Sequence, residues 1–345
     1  MRINFIVPPL GQSGGTMVVQ RYVNELDKRG HDVRVYLPLT GLGLHRYSGK
    51  LMNCAHDIYS FFKGIIEIAK HPEKGKFVFS GSSRSIRDAD VIIATAWPTA
   101  YLVNNLPNSK GKKFYFVQDF EVWDNQRLGL GSYQLPLKKI VISNWINQQL
   151  ISNLGIGPFP IVYNGLDMPS ESLAPHKDPY AVLMLNHSLE KKGIPYGVDA
   201  FRKAQKKIPT LHLTMFGLND QSNLPQDLHI EYYQNPSQRK LNYLYDISSV
   251  FIFPSIEEGW GMTPLEAMAH GDIVVGTDAG FANELGRDKF NMLKSKPKDP
   301  IDMANNIIEV VNNNHLQTIL RNNALNTVAE LNWDNSVTRF EKLLQ

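Results

Sequence analysis

Cysteine is almost missing from this sequence, because its 345 residues include only Cys54. One thiol excludes a disulfide framework and a zinc site built from cysteines, and it favours a reducing compartment such as the cytosol. Long hydrophobic runs are missing too, and stretches such as residues 91–97 fall well below the ~18 residues of a membrane-spanning helix. The N-terminal apolar run ends at Pro8 and Pro9, too early for a secretory signal, so we expect a cytoplasmic protein.

The rest of the composition is typical of a folded protein with two domains. Hydrophobic residues make up 43% of the chain and charged residues 20%, which excludes a disordered, collagen-like or coiled-coil protein. A length of 345 residues corresponds to about two domains at ~150 residues each.

The charges are distributed unevenly between the two halves of the chain. Residues 1–170 carry 19 basic and 12 acidic side chains, a net charge of +7, whereas residues 171–345 carry 17 and 21, a net charge of −4. The basic half suits an anionic surface such as a membrane, or an acidic substrate, and the alternative is ordinary solvated charge. No cluster of Lys and Arg is interleaved with aromatic residues, so nucleic acid is not an expected partner.

Short apolar runs alternate with helical patterns throughout the first half. A strand over residues 3–7, a helix over 16–29 and a strand over 33–37 form a β-α-β unit, which predicts a parallel sheet. Further apolar runs predict more strands, with a helix over residues 54–69 among them. These strands are expected at residues 91–94, 114–117, 140–142 and 161–162.

The same alternation starts again after a polar segment at residues 167–179. Strands are predicted at 181–185, 211–216, 250–254 and 273–276, and helices at 197–207, 241–247, 264–270, 303–311 and 337–344. Two successive halves of this kind predict an α/β protein with two Rossmann-like domains facing across a cleft, with ligands at the C-terminal ends of the strands. We place the domains at residues 1–167 and 180–332, with a linker at 168–179 and a C-terminal helix at 333–345.

One segment carries most of the chemical information, residues 254–271, with the sequence PSIEEGWGMTPLEAMAHG. Gly259 and Gly261 allow the backbone to approach a ligand closely. The helix that follows is expected to begin with a proline, and its free N–H groups suit an anion or sugar hydroxyls. Glu258 and Glu266 both lie near that helix start. A structural alternative exists for Glu266, because Thr263 and Glu266 have the spacing of a capping box.

This segment resembles the E-x7-E signature of retaining glycosyltransferase family 4 (glycosyl transferases group 1). The similarity covers nearly the whole chain and implies a glycosyltransferase B (GT-B) fold. It also implies that the C-terminal domain holds most of a nucleotide-sugar donor, that the N-terminal domain holds most of the acceptor, and that the last helix crosses back to the N-terminal domain. The other matching positions are Gly14-Gly15, residues 28–33 (KRGHDV), Ser143, residues 162–167 (VYNGLD), Lys192-Gly193 and Trp333.

The resemblance also implies roles for individual residues. Glu266 would hydrogen-bond the ribose hydroxyls of the nucleotide, Glu258 would contact the donor sugar, and Lys192 would bind the diphosphate. A fixed cation beside the leaving phosphate lowers the barrier to its departure, so neither a metal nor another cofactor is required. The remaining donor-side candidates are Gly14, Gly15, Gly217, Asn235, Gly259, Trp260, Gly261, Met262 and Thr263.

The chain departs from the family pattern at several positions. His187 stands where the family usually has an arginine, five residues before the diphosphate-binding lysine, and we treat it as a third catalytic candidate whose charge state is open. A later Gly-Gly-x-x-Glu keeps only one of its glycines, Gly280. A common His-Asp pair is replaced by Gln-Asp. The acceptor-side candidates are Gln118, Asp119, Ser143 and Asn164.

Two further patterns concern metals and membranes. Asp88 and Asp90 form a D-x-D, the metal-binding signature of another transferase fold, but they precede a strand where a metal site belongs after one. The histidines have no ligand spacing, so no metal is expected. Residues 54–76 combine isoleucine and phenylalanine with lysine and fit either an interfacial amphipathic helix or ordinary core packing.

The sequence therefore predicts a retaining, metal-independent glycosyltransferase. It would move a hexosyl or deoxyhexosyl group from a nucleotide-diphosphate sugar to a glycan or lipid-linked acceptor, in cell-surface polysaccharide synthesis at the inner face of the membrane. Residues 116–123 (FVQDFEVW) resemble segments of surface-polysaccharide transferases, including rhamnosyl transferases. The alternatives are a nucleotide-sugar epimerase or a phosphorylase of the same fold, and a nucleotide- or glycan-binding protein without catalysis.

Overall fold

The computed structural model describes residues 1–8, 14–40, 75–123, 125–171, 176–222 and 224–345. The chain divides into two compact units. The first contains Met1–Asn164 together with Asp334–Gln345, and the second is Gly165–Trp333. The helix expected at residues 54–69 lies outside the described residues. So does the candidate membrane-contacting segment, except for Gly75 and Lys76, which begin a strand.

In the first unit the described residues form a parallel sheet with the strand order β3-β2-β1-β4-β5-β6. Its strands are β1 (Arg2–Ile6), β2 (Asp32–Thr40), β3 (Gly75–Ser80), β4 (Val91–Ala94), β5 (Lys112–Val117) and β6 (Lys138–Val141). Its helices include α1 (Gly14–Lys28), α2 (Trp97–Asn105), α3 (Gln126–Ser132) and α4 (Asn144–Leu154).

The second unit contains another parallel sheet, with the order β12-β11-β10-β7-β8-β9. Its strands are β7 (Ala181–Leu185), β8 (His212–Gly217), β9 (Ile230–Gln234), β10 (Val250–Phe253), β11 (Ile273–Thr277) and β12 (Leu293–Ser295). Its helices are α5 (Ile194–Gln205), α6 (Gln238–Ile247), α7 (Met262–Ala269), α8 (Pro300–Val311) and α9 (Asn314–Ala329).

Both sheets have Rossmann topology, which confirms the predicted fold class. In each unit the chain starts in the middle of the sheet, builds outward, and then returns to the other side of its first strand. The strand order therefore reverses between β1 and β4 in the first unit and between β7 and β10 in the second. Ligands of open α/β sheets bind beyond the carboxyl ends of the strands at this reversal.

The central strands are apolar on both faces because helices cover both sides of a parallel sheet. All four residues of β4 and of β10 are buried, and so are all five of β11. These strands were predicted within one residue of their observed bounds. An unbroken apolar run is the pattern expected of a strand buried on both faces.

The last helix, α10 (Trp333–Leu344), packs on the first unit, as the resemblance implied. The ring of Phe340 is fully buried there, with its centroid 4.7 Å from that of Tyr22 and 5.0 Å from that of Phe116. Arg29 binds Glu341 at 3.1 Å, and His31 binds the same carboxylate at 2.9 Å. Part of the KRGHDV segment, residues 28–33, thus anchors the helix.

The observed units differ from the predicted domains at their boundary. The first unit ends at Asn164, three residues before the predicted limit, and the described residues of the predicted linker belong to the second unit. The reason is local pairing, because the N–H of Leu166 donates to the carbonyl of Leu331 at 2.7 Å. A Cβ on Gly165 would lie 2.5 Å from the Cα of Trp333.

Several elements were missed and one was overestimated. The strands β3, β9 and β12 and the helices α2, α3, α4 and α9 were not predicted. The strand expected at residues 161–162 is a single bridge between Ile161 and Val141. Within the described residues, no helix is long and apolar enough to cross a membrane.

Candidate functional site

The loops that follow β7 and β10 are joined by their backbones. The N–H groups of Ile256 and Glu257 donate to the carbonyl of Lys191, at 2.7 and 3.3 Å. Gly193 has φ +64°, and a Cβ there would lie 2.0 Å from the carbonyl oxygen of Pro254. Only glycine tolerates both conditions. Two loops that are distant in sequence therefore meet at the reversal point of the second sheet.

This junction brings together two of the predicted catalytic residues. Lys192 Nζ lies 2.5 Å from Glu258 Oε2, and the side chains are only 17% and 13% exposed. The hydroxyl of Ser255 donates to the same carboxylate oxygen at 3.5 Å. Because each charge offsets the cost of removing the other from water, the pair holds a cation and an anion at a shielded position.

Two glycines shape the backbone around Glu258. A Cβ on Gly280, where φ is +56°, would lie 2.4 Å from the carbonyl oxygen of Trp260 and 2.9 Å from Glu258 Cγ. Gly261 has φ +89°, and its Cβ would lie 3.3 Å from the same Cγ. The single glycine that this chain keeps from the family's glycine pair is therefore sterically required. The side chain of Trp260 is 2% exposed, so only its backbone is available to a donor.

The helix α7 begins two residues earlier than a Thr263–Glu266 capping box requires. Its N-cap is Gly261 and its first residue is Met262, so Thr263 is the second helical residue and Pro264 the third. The N-cap residue makes no side-chain hydrogen bond to the helix start. The capping-box alternative for Glu266 is therefore wrong, and so is the expectation that the proline is the first helical residue. The positive φ of Gly261 sets the start of the helix.

Glu266 is held by a tyrosine from the neighbouring helix α6. The hydroxyl of Tyr245 donates to Glu266 Oε2 at 3.0 Å. Burial raises the pKa of Glu266, the hydrogen bond from Tyr245 lowers it, and the nearby carboxylate of Asp167 raises it. Sequence analysis did not identify Tyr245, because nothing in the pattern of α6 distinguishes this residue from an ordinary core aromatic.

His187 follows β7 and is half-buried. Its Nδ1 accepts the backbone N–H of Leu189 at 3.0 Å, so the proton of the neutral ring is on Nε2. Burial lowers the pKa of His187, and the positive charges of Lys192 and Lys191 lower it further. The surroundings therefore favour an uncharged imidazole here, unlike the arginine that His187 replaces.

Gly217 and Asn235 end the strands β8 and β9 at the same side of the sheet. A Cβ on Gly217 would lie 2.4 Å from the carbonyl oxygen of Asn186, and the N–H of Asn235 donates to the carbonyl of Gly217 at 2.7 Å. Asn235 has φ +45°, a conformation that asparagine adopts more readily than most residues. These positions keep three strand ends in register.

In the first unit, Gly14 and Gly15 open α1 beside the end of β5. A Cβ on Gly15 would lie 3.5 Å from Gln118 Oε1. That oxygen is buried and has no hydrogen-bond partner among the described residues. Asp119 Oδ1 accepts the N–H of Phe120 at 2.9 Å. The structure thus places a donor-side and an acceptor-side candidate next to each other beyond the carboxyl ends of the strands of the first sheet.

The other two acceptor-side candidates are interior residues. Ser143 is fully buried, and its hydroxyl caps α4 by accepting the N–H of Ile146 at 3.2 Å. Asn164 is 3% exposed. Their surroundings give Ser143 a structural role and leave little of Asn164 available to an acceptor.

Glu121 organises the segment that carries Gln118 and was missed by sequence analysis. Its Oε2 accepts the N–H of Trp97, the first residue of α2, at 2.8 Å, and the hydroxyl of Tyr115 at 3.2 Å. A carboxylate at a helix N-terminus is stabilised by the helix dipole. The ring of Trp123 then lies 5.5 Å from that of Trp97. The segment after β5 is therefore fixed in place.

The D-x-D carboxylates are already used by the fold. Asp88 Oδ1 lies 2.8 Å from Lys110 Nζ, and Asp90 Oδ2 accepts the N–H of Arg2 at 2.7 Å. Both residues precede β4, away from the carboxyl end of its sheet. Among the described residues, no three His, Cys, Asp or Glu side chains gather as metal ligands.

The second unit also contains a buried ion pair before β11. Lys177 Nζ lies 2.6 Å from Asp272 Oδ1, and it donates to the carbonyls of Tyr245 and Ser248, at the end of α6, at 2.9 and 2.7 Å. Asp272 is fully buried, which raises its pKa to about 7. No sequence signal pointed to this pair, because its partners are 95 residues apart.

Comparison with known proteins identifies the class to which this fold and site belong. Residues 169–327 match the model of a family described as glycosyl transferases group 1. An uncharacterized glycosyltransferase of Methanocaldococcus jannaschii is 26% identical over 220 residues, which make up 60% of this chain and 59% of that protein. The match thus spans less than two thirds of that relative.

Solved structures are similar over the whole chain. HepE of Anabaena, crystallised with UDP and glucose, has a TM-score of 0.78 at 14% identity, covering 100% of this chain and 99% of its own. Sucrose-phosphate synthase from Thermosynechococcus elongatus has a TM-score of 0.71 at 15% identity, covering 99% and 98%. The protein has the glycosyltransferase B (GT-B) fold. Its residues 169–327 are similar to the glycosyl transferases group 1 family.

Proposed function

We propose that this protein is a retaining glycosyltransferase that uses a nucleotide-diphosphate sugar and needs no metal. The observation that carries the proposal is the ion pair of Lys192 and Glu258 at 2.5 Å, located where the order of the second sheet reverses. The loops that hold this pair are far apart in the sequence. Their backbones take conformations that require glycine at Gly193, Gly261 and Gly280. A purely structural ion pair would not require such a constrained backbone.

Each member of the pair has a part in donor binding. Lys192 would contact the diphosphate and offset the negative charge that develops on it as the sugar leaves. Glu258 would accept hydrogen bonds from the sugar hydroxyls. In the free protein each charge is offset by the other. When the donor binds, its diphosphate would become the partner of Lys192, and its sugar hydroxyls would become the partners of Glu258. The uncapped start of α7 adds backbone N–H donors beside Glu258.

Glu266 would bind the ribose through its carboxylate, which accepts two hydroxyl groups at once when ionised. Glu266 is half-buried and lies close to α6. A ligand bound to it would be partly enclosed, which suits the nucleoside part of a donor. HepE, which shares the fold, was crystallised with UDP and glucose, and this supports a nucleotide-sugar donor here.

The acceptor would bind to the first unit, near Gly15 and Gln118. The buried Gln118 Oε1, without a partner among the described residues, is suited to accept a hydrogen bond from a sugar hydroxyl. Retention would follow from attack on the same face as the leaving diphosphate, whose oxygen would take the proton of the acceptor. A glycan or lipid-linked acceptor of cell-surface polysaccharide synthesis fits this proposal.

A ligand panel tests the proposal most directly. Thermal shift with UDP, GDP and dTDP should show stabilisation by one of them, since a ligand at 100 times its Kd stabilises by about 2.7 kcal/mol. The matching nucleotide sugars then serve as donors, and NMR of the product gives the anomeric configuration. Inversion would refute the retaining mechanism. Epimerised donor, or release of a sugar phosphate with inorganic phosphate, would instead identify an epimerase or a phosphorylase.

The alternative without catalysis is tested with the same donors. A nucleotide-binding protein would be stabilised by a nucleotide but would neither hydrolyse nor transfer the sugar. Lys192→Met is the matched inactive control, because it keeps much of the side-chain volume and removes the charge. If wild type and Lys192→Met hydrolyse the donor at the same rate, the activity does not come from this site.

We also propose that the basic half of the chain contacts an anionic membrane surface. Part of its charge is committed internally, since Lys110 binds Asp88 and Lys139 donates to the carbonyls of Leu135 and Leu137. The remaining cations would have to supply the attraction. Sedimentation with anionic vesicles at low and high salt tests it, because added salt screens such an attraction. Lack of pelleting at low salt would contradict it.

A further inference from the structure

Tyr245 connects the core of the second unit to Glu266. It is 1% exposed, and its hydroxyl donates to Glu266 Oε2 at 3.0 Å. Its ring is stacked on His270 with centroids 5.3 Å apart, and it contacts Phe216 and Phe251 at 5.9 and 6.0 Å. These three rings and the burial of Tyr245 hold its ring in place, with the hydroxyl directed at Glu266.

The hydrogen bond from Tyr245 holds one oxygen of the Glu266 carboxylate and also acts on its pKa. Burial and the carboxylate of Asp167 both raise the pKa of Glu266, and among the causes identified only the Tyr245 hydroxyl lowers it. A protonated Glu266 would accept fewer hydrogen bonds than the carboxylate and would donate one. A ribose with two adjacent hydroxyls needs the ionised form in a fixed orientation.

We propose that Tyr245 is a positioning residue for nucleotide binding, which holds the Glu266 carboxylate in a fixed orientation toward the ribose. The inference rests on the proposed function, because it assumes that Glu266 binds the ribose. Tyr245 is a buried aromatic residue of α6. The inference gives it a role in nucleotide affinity, which its burial alone would not indicate.

Several charged groups surround this hydrogen bond. Asp246 lies 2.6 Å from Nδ1 of His270, the ring that stacks on Tyr245. Asp272 acts on Tyr245 from the start of β11 and is itself paired with Lys177. On α9, Arg321 donates to the carbonyl of Gly271 and acts on Asp272. Since some of these groups also titrate, the pH effect of Tyr245 has to be measured as a difference between variants.

The test is the affinity of Tyr245→Phe for UDP and GDP and for their 2′-deoxy forms, measured by calorimetry. The loss of a hydrogen bond to a charged group should weaken binding of the ribonucleotide on the order of tenfold. The 2′-deoxy nucleotides have one ribose hydroxyl fewer. Their affinity should therefore fall markedly less on Tyr245→Phe than that of the ribonucleotides. The matched control is Ser248→Ala, which removes a buried hydroxyl bond to the carbonyl of Leu244 at the end of the same helix.

Two further readouts separate positioning from a structural role. In a Glu266→Ala background, Tyr245→Phe should change the affinity by less than about twofold, because the effect passes through Glu266. Acidification should weaken nucleotide binding in both proteins. In Tyr245→Phe the loss should begin at a higher pH than in wild type, because the hydrogen bond that lowers the pKa of Glu266 is gone. If this variant folds poorly, 3-fluorotyrosine at position 245, a stronger donor, should shift the acid loss to lower pH instead.

The outcomes distinguish this inference from the proposed function. If no diphosphate binds the wild-type protein, the proposed function and this inference both fail. If wild type binds and Glu266→Ala weakens binding, but Tyr245→Phe matches Ser248→Ala in affinity and pH profile, the inference alone is overturned. A tenfold loss that persists in the Glu266→Ala background would also overturn it.

Discussion

Lys177 and Asp272 form an ion pair in which the carboxylate is completely buried. The distance between Lys177 Nζ and Asp272 Oδ1 is 2.6 Å, and the lysine also donates to carbonyls at the end of α6. It thereby ties the segment that precedes β7 to the helix that carries Tyr245. The pair lies before β11, at the opposite end of the sheet from Glu258.

Loss of the cation should be costly. Lys177→Met leaves Asp272 buried without its charged partner, and such a change typically lowers the free energy of unfolding by about 3–5 kcal/mol. The comparison is Lys289→Met, because Lys289 and Glu309 form an exposed pair at 2.9 Å that should contribute less than about 1 kcal/mol. Denaturant unfolding of both variants checks the difference, and equal losses would contradict the role of burial.

Asp272 should make stability depend on pH near neutrality. Burial raises its pKa in the folded protein to about 7, well above its value of ~3.9 in the unfolded chain. The folded state therefore keeps a proton that the unfolded state releases, and the stability this provides is lost as the pH rises through about 7.

Asp272→Asn should remove that dependence, so that its Tm falls less than that of wild type between pH 5 and 8. Asp278→Asn is the matched control, because Asp278 is 52% exposed and pairs with Lys294. It should keep the wild-type slope. Parallel slopes in wild type and Asp272→Asn would show that Asp272 does not titrate in this range.

Gly193→Ala should lower both stability and turnover by more than the strain of a positive φ alone would. Gly155 has a similar φ, +67° against +64°, but a Cβ there meets nothing within 4 Å, whereas at Gly193 it would lie 2.0 Å from Pro254 O. Gly155→Ala should cost about 1 kcal/mol of stability. Gly193→Ala should cost more and lower turnover at least tenfold, because the loops that hold Lys192 must separate. Equal stability and turnover for the two variants would refute this.

Lys192→Met should abolish most of the turnover in a protein that is still folded. The side chains of Lys192 and Glu258 are only 17% and 13% exposed, so the variant also loses stability because Glu258 is left shielded without its cation. We expect at least a hundredfold loss of transfer, which is the scale for one stabilising group in a transition state, measured at a temperature below the lowered Tm of the variant. Wild-type turnover in the variant would mean that Lys192 does not bind the diphosphate.

His187 should not act as a cation at neutral pH. Burial and two lysines lower its pKa from a reference near 6.5, so it should stay uncharged between pH 7 and 9. Donor affinity of the wild type should therefore not fall through a histidine titration in that range, and His187→Arg should give a curve of the same shape. Calorimetric titrations of the donor at several pH values check this. A loss of affinity with a midpoint near 7, absent in His187→Arg, would contradict it.

The central elements of both sheets could be predicted because their signals are local. The runs at residues 91–94 and 181–185 match β4 (Val91–Ala94) and β7 (Ala181–Leu185) to the residue, since both faces of these strands are covered and every side chain must be apolar. Edge strands lack this signal. In β9 (Ile230–Gln234) no residue is buried, and β12 has only three residues, so neither was recognised.

The sequence by itself determined the fold class and identified Glu258, Glu266 and Lys192 as candidates, because spacing along the chain is visible in the sequence. Only the tertiary structure decided what each of them contacts. It showed Lys192 against Glu258 and Tyr245 against Glu266, and it ruled out the Thr263 capping box through the φ of Gly261. These contacts join residues 66 and 21 positions apart. Such distances are closed by the packing of loops and helices on the sheet, which no local pattern encodes.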